Sequence, residues 1–419
     1  MKKLNILQIN TLDGIGGAAK VASQLKEGLK RKGHKSGMLV GNKKTTDPDI
    51  KQIPTTNITN KYIRFGLNYF TNKTVNKFQL QYMDFLNSFS IKNRKDFAKV
   101  DIVNLHNLHG NYFNPLALPS LTKIKPVVYT LHDMWSFTGH CAHSFDCEKW
   151  QTGCGNCPYL SVYPALERDS TRMLWKIKNW IYKRSNLGIV TPSKWLRDKV
   201  KESMLSDKEV KVIYNGIDEK IFHPMDKTEI RKKLKLPENK IIITFSAHGG
   251  VSSCWRSSEH LFEALGRVEH EKIMFLNIGS QEKLDEKIKK DIEWLSVPHI
   301  YKEAKMAEYF AASDIFLYPT LADNCPLVVL EAMACGTPVI SFNTGGVPEL
   351  VDHMKTGYIA EYKNSEDLTK GLNLFLSDDN LRENAGILAR KKVEDKFTLD
   401  KMIDAYIKLY YSMIKKTTL

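Results

Sequence analysis

Residues 319–349, PTLADNCPLVVLEAMACGTPVISFNTGGVPE, constrain the fold of this chain more than any other stretch. The run reads as a loop, a helix from about Pro326 to Ala334, a buried strand at Pro338–Ser341, and a Gly345-Gly346 turn into a further helix. An apolar strand held between helices belongs to an α/β protein. Asp323 stands at the entry of the first helix and Glu331 in its body, a spacing that brings both near one crevice. Amides at that helix start, and those following Gly345-Gly346, have no intrahelical partner and attract phosphate oxygens. Carboxylates accept from sugar hydroxyls while amides donate to phosphate. A nucleotide sugar combines both chemistries.

The same stretch resembles the hallmark of the retaining GT-B glycosyltransferases of family four: Glu, seven residues, Glu, then Ala-Met-Ala-x-Gly-x-Pro-Val. The second half is intact here, Glu331-Ala-Met-Ala-Cys-Gly-Thr-Pro-Val339, whereas Asp323 replaces the first Glu and Cys325-Pro326 the usual Phe-Gly. By resemblance Glu331 holds the ribose, and the acid at 323 touches the donor sugar.

The chain has 419 residues, enough for two or three domains. Its 42% hydrophobic and 26% charged content is that of an ordinary globular protein. No apolar run reaches the roughly 18 residues that span a bilayer. The start MKKLNILQIN reads as a first strand rather than a signal peptide, which predicts a cytoplasmic protein. A net charge of +15 admits nucleic acid, anionic lipid or phosphorylated ligands without choosing among them.

Leu4–Ile9 is a buried-type strand leading into a glycine loop with Gly14, Gly16 and Gly17 and a helix to about Lys32. Gly-Gly before a helix lets amides approach a ligand closely; by resemblance Gly16 and Gly17 face the donor phosphates. Between Lys43 and Lys99, basic and aromatic residues interleave, as at Lys61, Arg64, Tyr69 and Phe70, with no acid between Asp49 and Asp84. Such a surface suits an anionic membrane or a phosphate-bearing lipid acceptor, or else is a solvated cover for the sheet. No recognisable nucleic-acid module is present. Asp47-Pro-Asp49 has the look of an Asp-x-Asp metal motif, but a polar loop with no strand leading in makes the match fortuitous.

Two further buried strands, Asp101–Leu105 and Pro126–Leu131, end in His106-Asn-Leu-His109 and His132-Asp133. Carboxyl ends of strands are where open α/β sheets bind ligands. His132-Asp133 resembles the family's Thr-x-His-Asp, which implies a catalytic role for His132 at the donor sugar. Directly afterwards, Cys141, Cys147, Cys154 and Cys157 fall within residues 135–158. Four thiols in a reducing compartment suit a structural zinc, with redox pairing or unliganded packing as alternatives. The segment resembles an insertion of capsule and exopolysaccharide members of the family.

Ile213-Tyr-Asn-Gly-Ile-Asp218 resembles the family's linker. The loop after the strand Ile241–Phe245 then offers Gly249, Gly250 and Arg256 as phosphate contacts, with Arg256 where the family has a lysine. The resemblance implies two Rossmann-like domains facing across a cleft, 1–208 and 209–398, with 399–419 returning to the first. It implies retaining transfer from a UDP- or GDP-type sugar to a glycan or polyprenyl-linked acceptor, without a catalytic metal or cofactor. A GT-B epimerase and a non-catalytic nucleotide-sugar or polyanion binder are the competing readings.

Overall fold

The computed structural model describes residues 2–14, 16–54, 75, 77–246, 255, 257–269, 272–279 and 292–418. The chain divides into two compact units: residues 1–214 with 402–419, and residues 215–401.

Unit 1 is built on strands β1 (Asn5–Leu12), β2 (Lys35–Asn42), β3 (Ile50–Gln52), β4 (Ile102–Leu105), β5 (Val127–Thr130), β6 (Leu187–Thr191) and β7 (Val210–Val212). Their order in the sheet is β3-β2-β1-β4-β5-β6-β7, and every pairing is parallel. β4, β5 and β6 are buried along their whole length. Parallel strands covered on both faces need apolar side chains at every position, which is why these runs do not alternate. β1 lies between β2 and β4, so the chain reverses its winding there, and the crevice at the carboxyl ends of β1 and β4 is the ligand position of such a sheet.

The helix Leu399–Thr418 completes this unit. Gly28, in the helix Gly17–Arg31, is met so closely by Ile403 that a Cβ there would lie 1.9 Å from Ile403 Cδ1. Gly188 of β6 faces Met413 in the same manner, at 2.9 Å from its sulfur. Behind the sheet, Asn104 Nδ2 donates to the Tyr410 hydroxyl at 2.9 Å, and Tyr406 shares a hydrogen bond of 3.1 Å with Thr130 Oγ1.

Unit 2 has strands β8 (Ile241–Ser246), β9 (Ile273–Ile278), β10 (Glu293–Val297), β11 (Ile315–Tyr318), β12 (Val339–Phe342) and β13 (Gly357–Ala360). They form a second parallel sheet, β10-β9-β8-β11-β12-β13, whose winding reverses between β8 and β11. Gly357 opens β13: its φ is +157°, and a Cβ there would meet the Val339 carbonyl at 2.0 Å. Two glycines also let helix Asp379–Lys396 approach the end of helix Leu327–Ala334, since a Cβ on Gly386 would lie 2.2 Å from Gly336 O. Arg390 seals that contact by donating to the carbonyls of Ala334 (3.0 Å) and Phe222 (2.7 Å). Among the described residues, no helix is long and apolar enough to cross a membrane.

Candidate active site

In unit 2 the crevice at the reversal is occupied by the loop from Pro319 to Pro326, which follows β11. Asp323 is held there by two hydroxyls: Tyr318 Oη donates to its Oδ2 at 2.7 Å and Thr320 Oγ1 at 2.9 Å. The neighbouring backbone is tied to the segment leading into helix Ser258–Gly266, with Leu321 N donating to Trp255 O at 3.0 Å and Ser257 N to Pro319 O at 3.2 Å. Helix Leu327–Ala334 starts at Pro326, whose ring supplies no capping acceptor. Its first-turn amides therefore gain no side-chain partner at the cap. Glu331, in the body of that helix, is only 7% exposed, an unusual position for a glutamate. Asn215 Nδ2 donates to the Cys325 carbonyl at 3.1 Å, and burial pushes the Cys325 thiol up to about 12, so it stays protonated.

Gly345 and Gly346 serve this loop differently from the expectation of amides turned outward to phosphate. The Gly346 amide donates to Asp323 O at 3.2 Å, and the Val347 amide to Thr344 O at 3.1 Å. Gly345 has φ +55°, and a Cβ there would lie 1.7 Å from Asp323 O. The pair is thus a backbone clamp that fixes the Asp323 loop, and a glycine is required at 345, where the two segments touch.

In unit 1 the carboxyl ends of β1, β4 and β5 carry a chain of polar side chains. His106 Nε2 lies 2.8 Å from Gln8 Oε1, and His106 Nδ1 lies 2.9 Å from His132 Nε2. The Gln8 oxygen only accepts, whereas Asn104 Nδ2, 3.3 Å from the same Nε2, only donates; the shorter Gln8 contact favours the proton on Nε2, with Nδ1 accepting. His132 then donates from Nε2, which leaves Nδ1 as its acceptor nitrogen. The two ring planes lie 20° apart with centroids 5.2 Å apart, the edge-to-edge arrangement of an in-plane hydrogen bond. Burial pushes the His132 pKa down to about 4 and that of His106 well below its ordinary value, so both rings are neutral near pH 7. A neutral imidazole of this tautomer accepts a hydrogen bond from a hydroxyl and carries no charge to compete for phosphate.

A second pair lies beside it. His109 Nε2 contacts Asp133 Oδ2 at 2.8 Å, with Trp135 N donating to Asp133 Oδ1 at 2.9 Å. Burial alone would raise the Asp133 pKa; the His109 ring and these hydrogen bonds outweigh it and hold the carboxyl below its ordinary value. His109 Nδ1 reaches the Tyr163 hydroxyl at 3.3 Å.

Gly16 caps helix Gly17–Arg31 with φ +88° and no side-chain cap, and both Gly16 and Gly17 are exposed with open space where a Cβ would point. Asp13, by contrast, turns inward: it accepts from the amides of Lys44 (2.5 Å) and Thr45 (2.9 Å) and shapes the loop. The Asp47-Pro-Asp49 acids are taken by lysines, Asp47 by buried Lys26 and Asp49 by Lys30 at 2.7 Å. Arg256, Gly249 and Gly250 lie outside the described residues, as do Lys61, Arg64, Tyr69 and Phe70. Cys141, Cys147, Cys154 and Cys157 line one cavity. Among the described residues no group of three or more His, Cys, Asp or Glu is assembled to hold a metal ion.

Sequence reasoning missed Tyr318 and Thr320, which orient Asp323, and the pairing of His106 with His132. Both histidines follow directly on buried strands, but the pairing of those strands, which brings the rings together, is seen only in the fold.

Residues 15–220 match the family model Glycosyltransferase Family 4, and residues 226–392 match Glycosyl transferases group 1. The chain is 26% identical over 368 residues to a putative colanic acid biosynthesis glycosyl transferase of Escherichia coli, covering 83% of this chain and 85% of that one. It is 28% identical over 225 residues to N-acetyl-alpha-D-glucosaminyl L-malate synthase of Bacillus anthracis, a match that spans 52% of this chain and only 58% of that relative. Among solved structures, a sucrose-phosphate synthase from Thermosynechococcus elongatus superposes with a TM-score of 0.69 at 16% identity, covering 98% of this chain and all of that one. An Anabaena protein crystallised with UDP and glucose superposes with a TM-score of 0.64 at 15% identity over 98% of this chain and all of its own. One family model accounts for most of the seven-stranded unit and the other for most of the six-stranded unit; the chain belongs to the GT-B glycosyltransferases.

Proposed function

We propose that this protein transfers a sugar, with retention at the anomeric carbon, from a uridine diphosphate sugar to a hydroxyl of a glycan or lipid-linked glycan during surface polysaccharide assembly. The observation that carries the reading is the Asp323 loop. It holds a carboxylate on two hydroxyls and a glycine clamp, in the loop that leads into the helix of buried Glu331. That is a rigid hydroxyl-accepting surface, and rigidity is what a site needs to orient a polyhydroxyl ligand.

In this reading Glu331 accepts from the ribose hydroxyls and Asp323 from the donor sugar. His132, uncharged and accepting at Nδ1, takes a further sugar hydroxyl. Gly16, Gly17, Gly249, Gly250 and Arg256 are assigned to the diphosphate. The bond from the anomeric carbon to the diphosphate oxygen breaks as the acceptor oxygen bonds on the same face. The departing diphosphate receives the acceptor's proton, so the step calls for no enzyme nucleophile, and the protein's task is stabilising the developing negative charge. The uridine type is supported by the Anabaena structure with UDP and glucose, and the polysaccharide role by the Escherichia coli relative. The basic, aromatic stretch between Lys43 and Lys99 is assigned a peripheral contact with the inner face of the plasma membrane.

Thermal-shift screening with UDP, GDP, ADP and their sugar conjugates tests the reading. A ligand present at a hundred times its Kd stabilises by about 2.7 kcal/mol. UDP compounds should raise the melting temperature selectively, and Glu331→Ala and Arg256→Ala should abolish the shift and the release of UDP in the presence of acceptor. Turnover unaffected by Glu331→Ala would overturn the assignment.

A further inference from the structure

A second constellation of reactive side chains lies among residues 139–157 and takes no part in the proposed transfer. Cys141, Cys147, Cys154 and Cys157 border one cavity, together with Gly139 and His140. His140 Nδ1 lies 2.9 Å from the Pro164 carbonyl, an acceptor to which only an N–H can donate. The lone pair of His140 is therefore on Nε2, and Nε2 stands 3.5 Å from Cys157 Sγ. A ring nitrogen tied to a backbone carbonyl, with its other nitrogen turned to a thiol, is how metal-binding histidines are set. The separation fits as well. Zinc bonds of about 2.0 Å to nitrogen and about 2.3 Å to sulfur, opened to a tetrahedral angle, place the two ligand atoms that far apart.

Two backbone features agree with this chemistry. The Gly139 amide donates to Cys154 Sγ at 3.2 Å, a bond that strengthens when the sulfur is a thiolate. The run Gly153-Cys154-Gly155-Asn156 is at positive φ throughout, with Cys154 (φ +53°) and Asn156 (φ +48°) in the left-handed region. Two non-glycine residues so close together in that region are uncommon, and such strain persists only where the surroundings hold it. Cys154 and Cys157 are thereby turned to the same side of a very tight loop.

We propose that this cavity, where no group of three ligands is assembled beforehand among the described residues, binds a zinc ion through His140, Cys157, Cys154 and one of Cys141 and Cys147. Each coordinating thiol loses its proton to solvent as the ion enters. The remaining ligands close on the metal when it arrives, in keeping with sites whose binding energy is also folding energy. The ion would pin the segment that carries Tyr163, the residue that reaches His109.

The test uses the full chain, purified under reductant from zinc-supplemented growth. Elemental analysis should find one zinc per chain. After exchange, Co²⁺ should give the near-ultraviolet charge-transfer band of cobalt thiolate and intense visible bands of a tetrahedral site. Cys154→Ser with Cys157→Ser should lose the metal, while Cys325→Ser, in unit 2, should keep it. A folded wild-type chain with neither zinc nor cobalt bands overturns the proposal. So does a mass two hydrogens below that of the reduced chain, locating a Cys154–Cys157 disulfide.

Discussion

Burial holds the His132 imidazole at a pKa of about 4, and His106, bonded to it, is depressed by the same cause. An unfolded chain protonates a histidine near pH 6.5. Below that value the unfolded state binds a proton that the folded state refuses, so stability is present above about 6.5 and lost as pH falls toward about 4. For His132 alone the loss is on the order of 3 kcal/mol across that window. Denaturant unfolding at stepped pH should show the decline, and His132→Gln should flatten it. An unchanged slope in the variant would mean that the ring is not the group responsible. The acids of the site were legible at this scale because their spacing is local: Asp323 and Glu331 are read along one loop and one helix. The imidazole pair was not, because residues 106 and 132 meet only through the pairing of β4 with β5. Gly345 and Gly346 were legible as special backbone, but the direction of the Gly346 amide depends on where the Asp323 carbonyl comes to rest.

Elements meet through glycines in this chain. The Gly28–Ile403 contact lets helix Gly17–Arg31 and helix Leu399–Thr418 pack backbone to side chain, with no room for a methyl group. Gly28→Ala should cost about 1–3 kcal/mol through overpacking. Ile403→Ala should cost about 2–5 kcal/mol through the cavity it leaves. Combined, the two should cost less than their sum by about 0.5–3 kcal/mol, since the cavity receives the added methyl. Urea titration of the four proteins of this cycle measures the coupling, and strict additivity would show that the helices separate instead. The strands buried on both faces could be read directly from unbroken apolar runs. β10 could not: Glu293–Val297 is a half-exposed edge strand whose polar positions imitate a loop. The constraint on Gly357 is equally hidden, because a glycine forced by a neighbouring carbonyl looks in sequence like a glycine forced by a turn.

At the scale of the molecule, the chain passes from unit 1 to unit 2 at residue 214 and comes back at residue 402. Ending the chain at Lys401 would leave Asn104 without Tyr410 and Thr130 without Tyr406, opening polar groups of β4 and β5 that are otherwise fully buried. Hydrogen exchange on that shortened protein should show lost protection in β4 and β5 and intact protection in β8 and β11. Equal loss in both sheets would mean that the units do not fold independently. The return of the helix has a temporal side. Residues 402–410 leave the ribosome after every residue of unit 2, so the sheet begun first is the one finished last. Throughout elongation, β4 and β5 wait with their hydroxyl and amide groups unsealed, and a nascent chain stalled inside unit 2 presents that open seam to chaperones and proteases. The last helix to be synthesised is thus the one that closes the first sheet.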